Sequence, residues 1–376
     1  MNILVAPNSF KECADSLEIS EIIYQNIYKK TSYKIIQKPI SDGGDGFLKV
    51  VQSFYNLKKI VYNLYDINSN KVKDFYVLYD EKDKGVYIES AELFGLKVIP
   101  PKIRKPIKLN TEILGSILLN LVEDVKANKY EIENVWIGIG GTATIDFGMG
   151  ALSKLGLSFY DLNNNIIEPI PENFNNVYRI ENNIIQFPFQ VKCIVDVDTE
   201  LNGNPGAIEI YGKQKGASED DLKIIKSGIE NILKIVSADK KNVLPKNLNG
   251  AGGGLAAGLI IFLDAQIIKA KDFIETNILN NLNLNDIDSV ITGEGSFDYQ
   301  SFEGKGAGII LNLFSQRDIP IFLINGLTNP PKDFILPKNV QIINLTDFYV
   351  SKELSIKNFR EGLSKAVQIV LNQLNK

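Results

Sequence analysis

The stretch M1-N-I-L-V-A6-P-N-S-F-K-E-C-A-D15-S-L-E18-I-S-E-I22-I23 decides the fold class. Ile3–Ala6 is a short apolar run bounded by Pro7 and Asn8, so it reads as a buried strand. Asp15 with Glu18 makes a D-x-x-E helix start, and Ile19, Ile22, Ile23 and Ile27 follow at helical spacing. Lys34–Lys38 is a second strand, stopped by Pro39, which has no N–H to offer a ladder. Strand, helix and strand in this order open a βαβ unit, which requires a parallel pair.

Further along, the rhythm changes and then returns. Ile60–Leu64, Val72–Leu78 and Val86–Ser90 read as consecutive strands with polar turns and no helices between them, a meander. Thr111–Val125 is helical and Asn134–Ile139 is a strand. The Gly140–Thr142 loop is expected to lead into a helix ending near Leu155. Val191–Val195 is a strand, and Asp220–Val236 and Leu255–Ile268 read as helices. Asp288–Thr292, Pro320–Ile324 and Val340–Ile343 are further strands, and a helix carrying Leu363, Val367, Val370, Leu371 and Leu374 closes the chain. Asn-rich patches at Asn163–Asn165, Asn173–Asn183 and Asn280–Asn285 are expected to be surface loops. The class is α/β, and 376 residues suit two domains better than one core.

Hydrophobic residues at 44% and charged residues at 23% describe a soluble globular chain. A net charge of −4 offers no basic surface to nucleic acid. The longest apolar stretch, around Gly254–Leu263, is too short to span a bilayer, and the first residues, with no basic segment and a very short apolar run, are not expected to act as a signal peptide. Cys13 and Cys193 make neither a ligand spacing nor a disulfide framework, so a reducing cytoplasm is expected. The chain has no histidine. That excludes Ser-His-Asp and Cys-His nucleophiles and every metal site that needs imidazole. Proton transfer near neutral pH falls to carboxylates, lysines, thiols, tyrosines or water.

Five glycine clusters punctuate the chain: S41-D-G-G-D-G46, G138-I-G-G-T-A-T-I-D146, G250-A-G-G-G254, G293-E-G295 and G304-K-G-A-G308. A lone cluster is usually only a turn. Five of them, adjoining acids and lysines, suit backbone amides that approach an anion closely. A Walker A motif is absent, because Gly306 follows Gly304-Lys305 and Gln214 follows Gly212-Lys213. G138-x-G140-x-x-A143, with Asp161 beyond the apolar run Leu157–Tyr160, has the spacing of a dinucleotide fingerprint. It keeps an NAD-dependent dehydrogenase open, although Asp146 would oppose a pyrophosphate there. Asp42, Asp45, Asp146, Asp196, Asp198, Glu294 and Asp298, with Lys11, Lys213, Lys215 and Lys305, are the mixture that phosphoryl transfer uses.

Taken together and in order, these motifs resemble the type-1 glycerate kinases. They run from A6-P-N-S-F-K11 through P39-I-S-D-G-G-D-G46, G140-G-T-A-T144, D196-V-D198, Y211-G-K-Q-K-G-A217 and G250-A-G-G-G-L255 to V290-I-T-G-E-G295, D298-Y-Q-S301 and G304-K305. The resemblance implies a flavodoxin-like parallel-sheet domain from residues 1–57 and 286–376, an inserted α/β domain over 58–285, and an active site in the cleft. It implies ATP- and Mg²⁺-dependent phosphorylation of D-glycerate, to 2-phosphoglycerate in organic-acid catabolism. No nucleic-acid or membrane partner is implied, and nothing in the sequence sets an oligomeric state.

Under this reading Asp196 accepts the hydroxyl proton, with Asp42 as the alternate, and Lys215 reaches the transferred phosphoryl group. Ser9, Lys11, Gly43, Gly44 and Asp45 hold the substrate. Gly140, Gly141, Thr142, Gly252, Gly253, Gly254, Gly293, Glu294 and Lys305 serve the nucleotide phosphates, and Asp196, Asp198 and Asp298 serve Mg²⁺. The chain departs from the family pattern at Asn8, Ile113, Ile145, Phe147 and Ser296, where Asp, Gly, Asn, Gly and Arg are usual. Those departures keep a retuned or non-catalytic paralogue in view.

Overall fold

The computed structural model describes residues 1–10, 13–196, 200–201, 206–238, 244, 247–302, 304–331 and 335–375. Its strands are Asn2–Val5 (β1), Lys34–Gln37 (β2), Lys58–Asp66 (β3), Lys71–Asp80 (β4), Gly85–Glu89 (β5), Asn134–Ile139 (β6), Leu157–Tyr160 (β7) and Arg179–Asn182 (β8). There follow Gln190–Val195 (β9), Gln266–Lys269 (β10), Ser289–Thr292 (β11), Ser296–Phe297 (β12), Ile321–Asn325 (β13), Leu327–Thr328 (β14) and Val340–Asn344 (β15). The chain divides into two compact units. The first comprises Met1–Asp42, Lys49–Phe54 and Ala270–Lys376, and the second Gly43–Leu48 and Tyr55–Lys269.

The first unit holds a five-stranded sheet in the order β15-β13-β11-β1-β2, parallel throughout. Counted over the strands of this sheet alone, the order is 2-1-3-4-5, that of flavodoxin-like folds, and it reverses between β1 and β11. The helix Ser16–Tyr28 starts where the D-x-x-E signal places it: Asp15 Oδ1 accepts the Glu18 N–H at 3.0 Å. Its Ile19, Ile23 and Ile27 meet Leu363, Val367 and Val370 of the helix Phe359–Leu374 over Ile3, Val5, Ile291 and Ile324 of the sheet. Side chains alternate across a strand, so Leu4, Val290 and Leu323 point to the opposite face. They are buried too, so both faces are covered, as a parallel sheet requires.

The second unit holds a six-stranded mixed sheet, β10-β9-β6-β5-β4-β3. β3, β4 and β5 pair antiparallel, as the meander predicts, while β5, β6, β9 and β10 are parallel. Ile113, Leu114, Ile117, Leu118 and Leu121 of the helix Glu112–Lys126 pack against this sheet. A second apolar cluster joins the helix Glu219–Ala238 to Ile145, Phe147, Phe159 and Phe174.

Three expectations from the sequence are corrected. Leu255–Ile268 is not one helix: it stops at Leu263, Asp264 takes a left-handed turn (φ 53°), and β10 follows. Asp is among the few residues that enter that region readily. Asn173–Asn183 is not a loop throughout, since Phe174 and Val177 anchor a 3₁₀ turn and β8 pairs antiparallel with β7. The helix expected directly after Gly140–Thr142 begins only at Met149. No helix among the described residues is long and apolar enough to cross a membrane.

Candidate active site

In the second unit, two glycine loops touch backbone to backbone. A Cβ on Gly138 would meet the Gly43 carbonyl oxygen at 2.6 Å, and one on Gly140 would meet Gly44 Cα at 2.7 Å. Only glycine permits that approach. The consecutive residues Glu89 and Ser90, at the carboxyl end of β5, hold both loops. Glu89 accepts the N–H of Gly46 at 2.8 Å and of Leu48 at 2.9 Å, at the start of the helix Phe47–Phe54. Ser90 Oγ lies 3.3 Å from both Gly140 N and Gly140 O. Glu89 is 2% exposed, and burial pushes its carboxyl up to about 7 against the pull of the two amides. The sequence reading missed both residues, because nothing local marks Glu89-Ser90 as more than a strand end.

The Gly140–Thr142 loop is strapped down again on its far side. Gly141 O accepts Leu96 N at 2.8 Å, and Thr142 bridges Gly95. Lys215 is buried behind this loop, where its Nζ donates to Thr142 Oγ1 and Thr144 O, each at 2.9 Å. Burial pushes this ammonium down to about 7, with Asp146 opposing the shift. Asp45 is half-buried and paired with Lys97 at 3.1 Å. Asp196 follows β9 as a half-buried carboxylate. Asp198 and Lys11 lie outside the described residues.

Asp146 is a structural group. It is fully buried, and its Oδ2 accepts Thr111 N at 2.8 Å, Thr111 Oγ1 at 2.7 Å and Gly150 N at 3.0 Å. It thereby ties the starts of two helices, Glu112–Lys126 and Met149–Lys154. The same segment removes the dinucleotide reading. No helix starts at Gly140 to present its amides, and β7 pairs with β8 in a separate two-stranded sheet rather than beside β6. Gly252, Gly253 and Gly254 are all left-handed (φ 66°, 72° and 86°). Gly253 N and Gly254 N both turn back to Gly250 O, at 3.2 Å.

In the first unit, the chain ends of β1 and β11 come together. Asn8 N donates to Gly293 O at 2.9 Å, and Asn8 Nδ2 to Glu294 Oε2 at 3.4 Å. Ser301 Oγ donates to the other Glu294 oxygen. Gly306 is so close that its Cβ would meet Glu294 Oε2 at 2.4 Å. Gly293 (φ 153°) lies flat against the Ile324 carbonyl, where a Cβ would stand 1.7 Å from the oxygen. Lys305, half-buried, sits between Gly304 and Gly306 at the approach to the helix Gly308–Phe314, and Asp298 Oδ1 accepts Gln300 N at 2.9 Å. Ser9 and Asp298 line one cavity with Glu294. Asp42 is half-buried at the end of this unit's first segment.

The departures from the family pattern now have physical settings. Asn8 donates where an aspartate would oppose Glu294. Ile113, Ile145 and Phe147 are core residues. Phe147 has φ 55°, a conformation that costs a non-glycine residue about 1–2 kcal/mol. Burying the ring, at about 1.5–3 kcal/mol, offsets that. Ser296 is exposed in β12 on the cavity wall.

Comparison with known proteins agrees with these loops. A model described as "Glycerate kinase family" matches residues 3–375. The chain is similar to a glycerate kinase of Halalkalibacterium halodurans, 30% identical over 337 residues, covering 86% of this chain and 85% of that one. It is similar to a glycerate 2-kinase of Escherichia coli K12, 28% identical over 336 residues, covering 87% and 85%. A crystal structure assigned to glycerate kinase 2 of Salmonella typhimurium LT2 superposes with a TM-score of 0.73 at 25% identity, covering 100% of this chain and 98% of that one. On this match across both of its units, the chain belongs to the glycerate kinase family, a family of phosphotransferases.

Proposed function

We propose that the chain transfers the γ-phosphoryl group of ATP to the 2-hydroxyl of D-glycerate, giving 2-phospho-D-glycerate and ADP. The observation that carries this reading is the family match over residues 3–375, which takes in every glycine loop described above. Phosphoryl transfer has a loose transition state, so positioning and charge neutralisation matter more than a strong base. The Gly43–Asp45 and Gly140–Thr142 loops suit that requirement, being held by Glu89 and Ser90. Their amides would face anionic oxygens of the acceptor and of the moving phosphoryl group. Lys215 acts through Thr142, since its Nζ is committed to Thr142 and Thr144.

With no histidine in the chain, Asp196 takes the hydroxyl proton in this scheme, and Asp42 is its alternate. The attacking oxygen bonds to phosphorus as the bond to the β–γ bridging oxygen breaks, and ADP leaves. Mg²⁺ asks for one or two carboxylates and otherwise for phosphate oxygens and water. Asp196 and Asp298, both half-buried, are of the right chemistry for that role, and Mg²⁺ would neutralise phosphate charge. Glu294 and Lys305 are assigned to the donor end.

The test is ADP release coupled to NADH oxidation, with Mg²⁺, ATP and D-glycerate, followed by NMR of the product. Release that depends on glycerate, with phosphorus coupled to the C2 proton, is the expected result. No release above the blank, or phosphorus on C3, would overturn the activity or its regiochemistry respectively. Asp196→Asn is expected to lower turnover by roughly two to four orders of magnitude, the range for a positioned general base.

A further inference from the structure

A cavity of about 290 Å³ lies wholly inside the first unit, lined by the segments that follow β1, β11, β13 and β15 and by residues of Lys352–Phe359. Its position is that of a ligand site, at the carboxyl ends of parallel strands and next to the β1/β11 reversal of strand order. Phe10, Leu327, Leu345, Ile356 and Phe359 give it apolar walls. Every carbon of glycerate carries oxygen, so that acceptor has no apolar surface to bury there. A purine ring does, and the volume admits one with its sugar.

The charges on the wall separate into committed and uncommitted groups. Glu294 takes hydrogen bonds from Asn8 and Ser301, and Asp298 takes one from Gln300 N. Lys352, exposed, is the one cation among the described lining residues and makes no ion pair among them.

We infer that this cavity takes the nucleoside end of the phosphoryl donor, with the base between the apolar walls and Lys352 facing the phosphates. The inference rests on the kinase reading above, and it moves Ser9 from the acceptor to the donor. Lys352→Ala, Lys352→Arg and Ile356→Trp test it, the last by filling the cavity. Michaelis constants for ATP and for glycerate are measured separately, and ATP binding without acceptor is followed by calorimetry.

Lys352→Ala is expected to weaken ATP roughly tenfold, the loss of one charge-assisted contact, with the arginine variant near wild type. Ile356→Trp is expected to weaken ATP further, and glycerate should stay within about twofold in all three. Unchanged ATP binding in both Lys352→Ala and Ile356→Trp would overturn the inference, as would a rise confined to the glycerate constant. Melting temperatures check folding, which the exposed Lys352 does not support. If the wild type released no ADP with any hydroxy acid, the kinase reading would fall. Calorimetry would still decide whether a nucleotide enters the cavity.

Discussion

Glu89 shows how one buried carboxylate governs a site from behind it. Its oxygens take the two amides that fix the end of the Gly43–Gly46 loop, so its charge state is coupled to loop position. Its folded pKa, about 7, lies above the ordinary glutamate value near 4.5. The folded protein therefore binds the extra proton between these values, and stability falls as pH rises through them. The difference of about 2.5 units corresponds to something on the order of 3 kcal/mol. Melting temperatures of wild type and Glu89→Gln from pH 4.5 to 8 isolate the effect, because Asp146 and Lys215 titrate in both. Wild type is expected to lose ground to the variant over that window, and a pH-independent difference would remove Glu89 as its source. The histidine-free composition predicts no imidazole inflection near 6.5 in the activity profile. An inflection near neutral pH would come from Glu89 or Lys215, both placed near 7 by burial, or from the phosphates of the substrate itself.

Among the elements, the glycines separate into two kinds by what their missing side chains accommodate. Gly253 is left-handed, and a Cβ there would stand 2.2 Å from Thr144 O. Gly85, in β5, has nothing nearer than 3.7 Å. Gly253→Ala is expected to cost roughly 3 kcal/mol or more, from backbone strain together with overpacking. Gly85→Ala should cost less than about 1 kcal/mol. Urea denaturation of the two variants makes the comparison, and similar midpoints would show that the Gly250–Gly254 loop yields. The sequence reading treated all five clusters as ligand loops, the first for the substrate and the others for the nucleotide phosphates. What it lacked was the partner across each glycine, which for Gly253 is the backbone of residues 144 and 145. Local pattern did suffice where the signal is local: the Asp15 cap, the β3–β5 meander and the long amphipathic helices all stand where the spacing puts them.

At the level of the molecule, the chain closes its first sheet last. Thr292 Oγ1 donates to Ala6 O across 286 residues, and β1 lies between β2 and β11. The sheet of the second unit uses only strands between Lys58 and Lys269. A fragment of residues 1–285 is therefore expected to protect amides in β6 and β9 from hydrogen exchange but not those in β1, which is left with β2 alone. Free exchange in β6 and β9 would mean that the second unit needs the C-terminal strands to fold.

The sequence by itself determined the α/β class and most of the strand order, because periodicity and caps are properties of neighbours along the chain, and its ordered glycine motifs carried the resemblance to the family. Tertiary structure alone decided that Asp146 is a buried cap and that no dinucleotide fold forms. It alone decided that Glu89 and Ser90 hold both glycine loops, and that Ser9 shares a cavity with Glu294. Each of these rests on groups distant in sequence, whose protonation and hydrogen bonding are fixed only when packing removes water from around them.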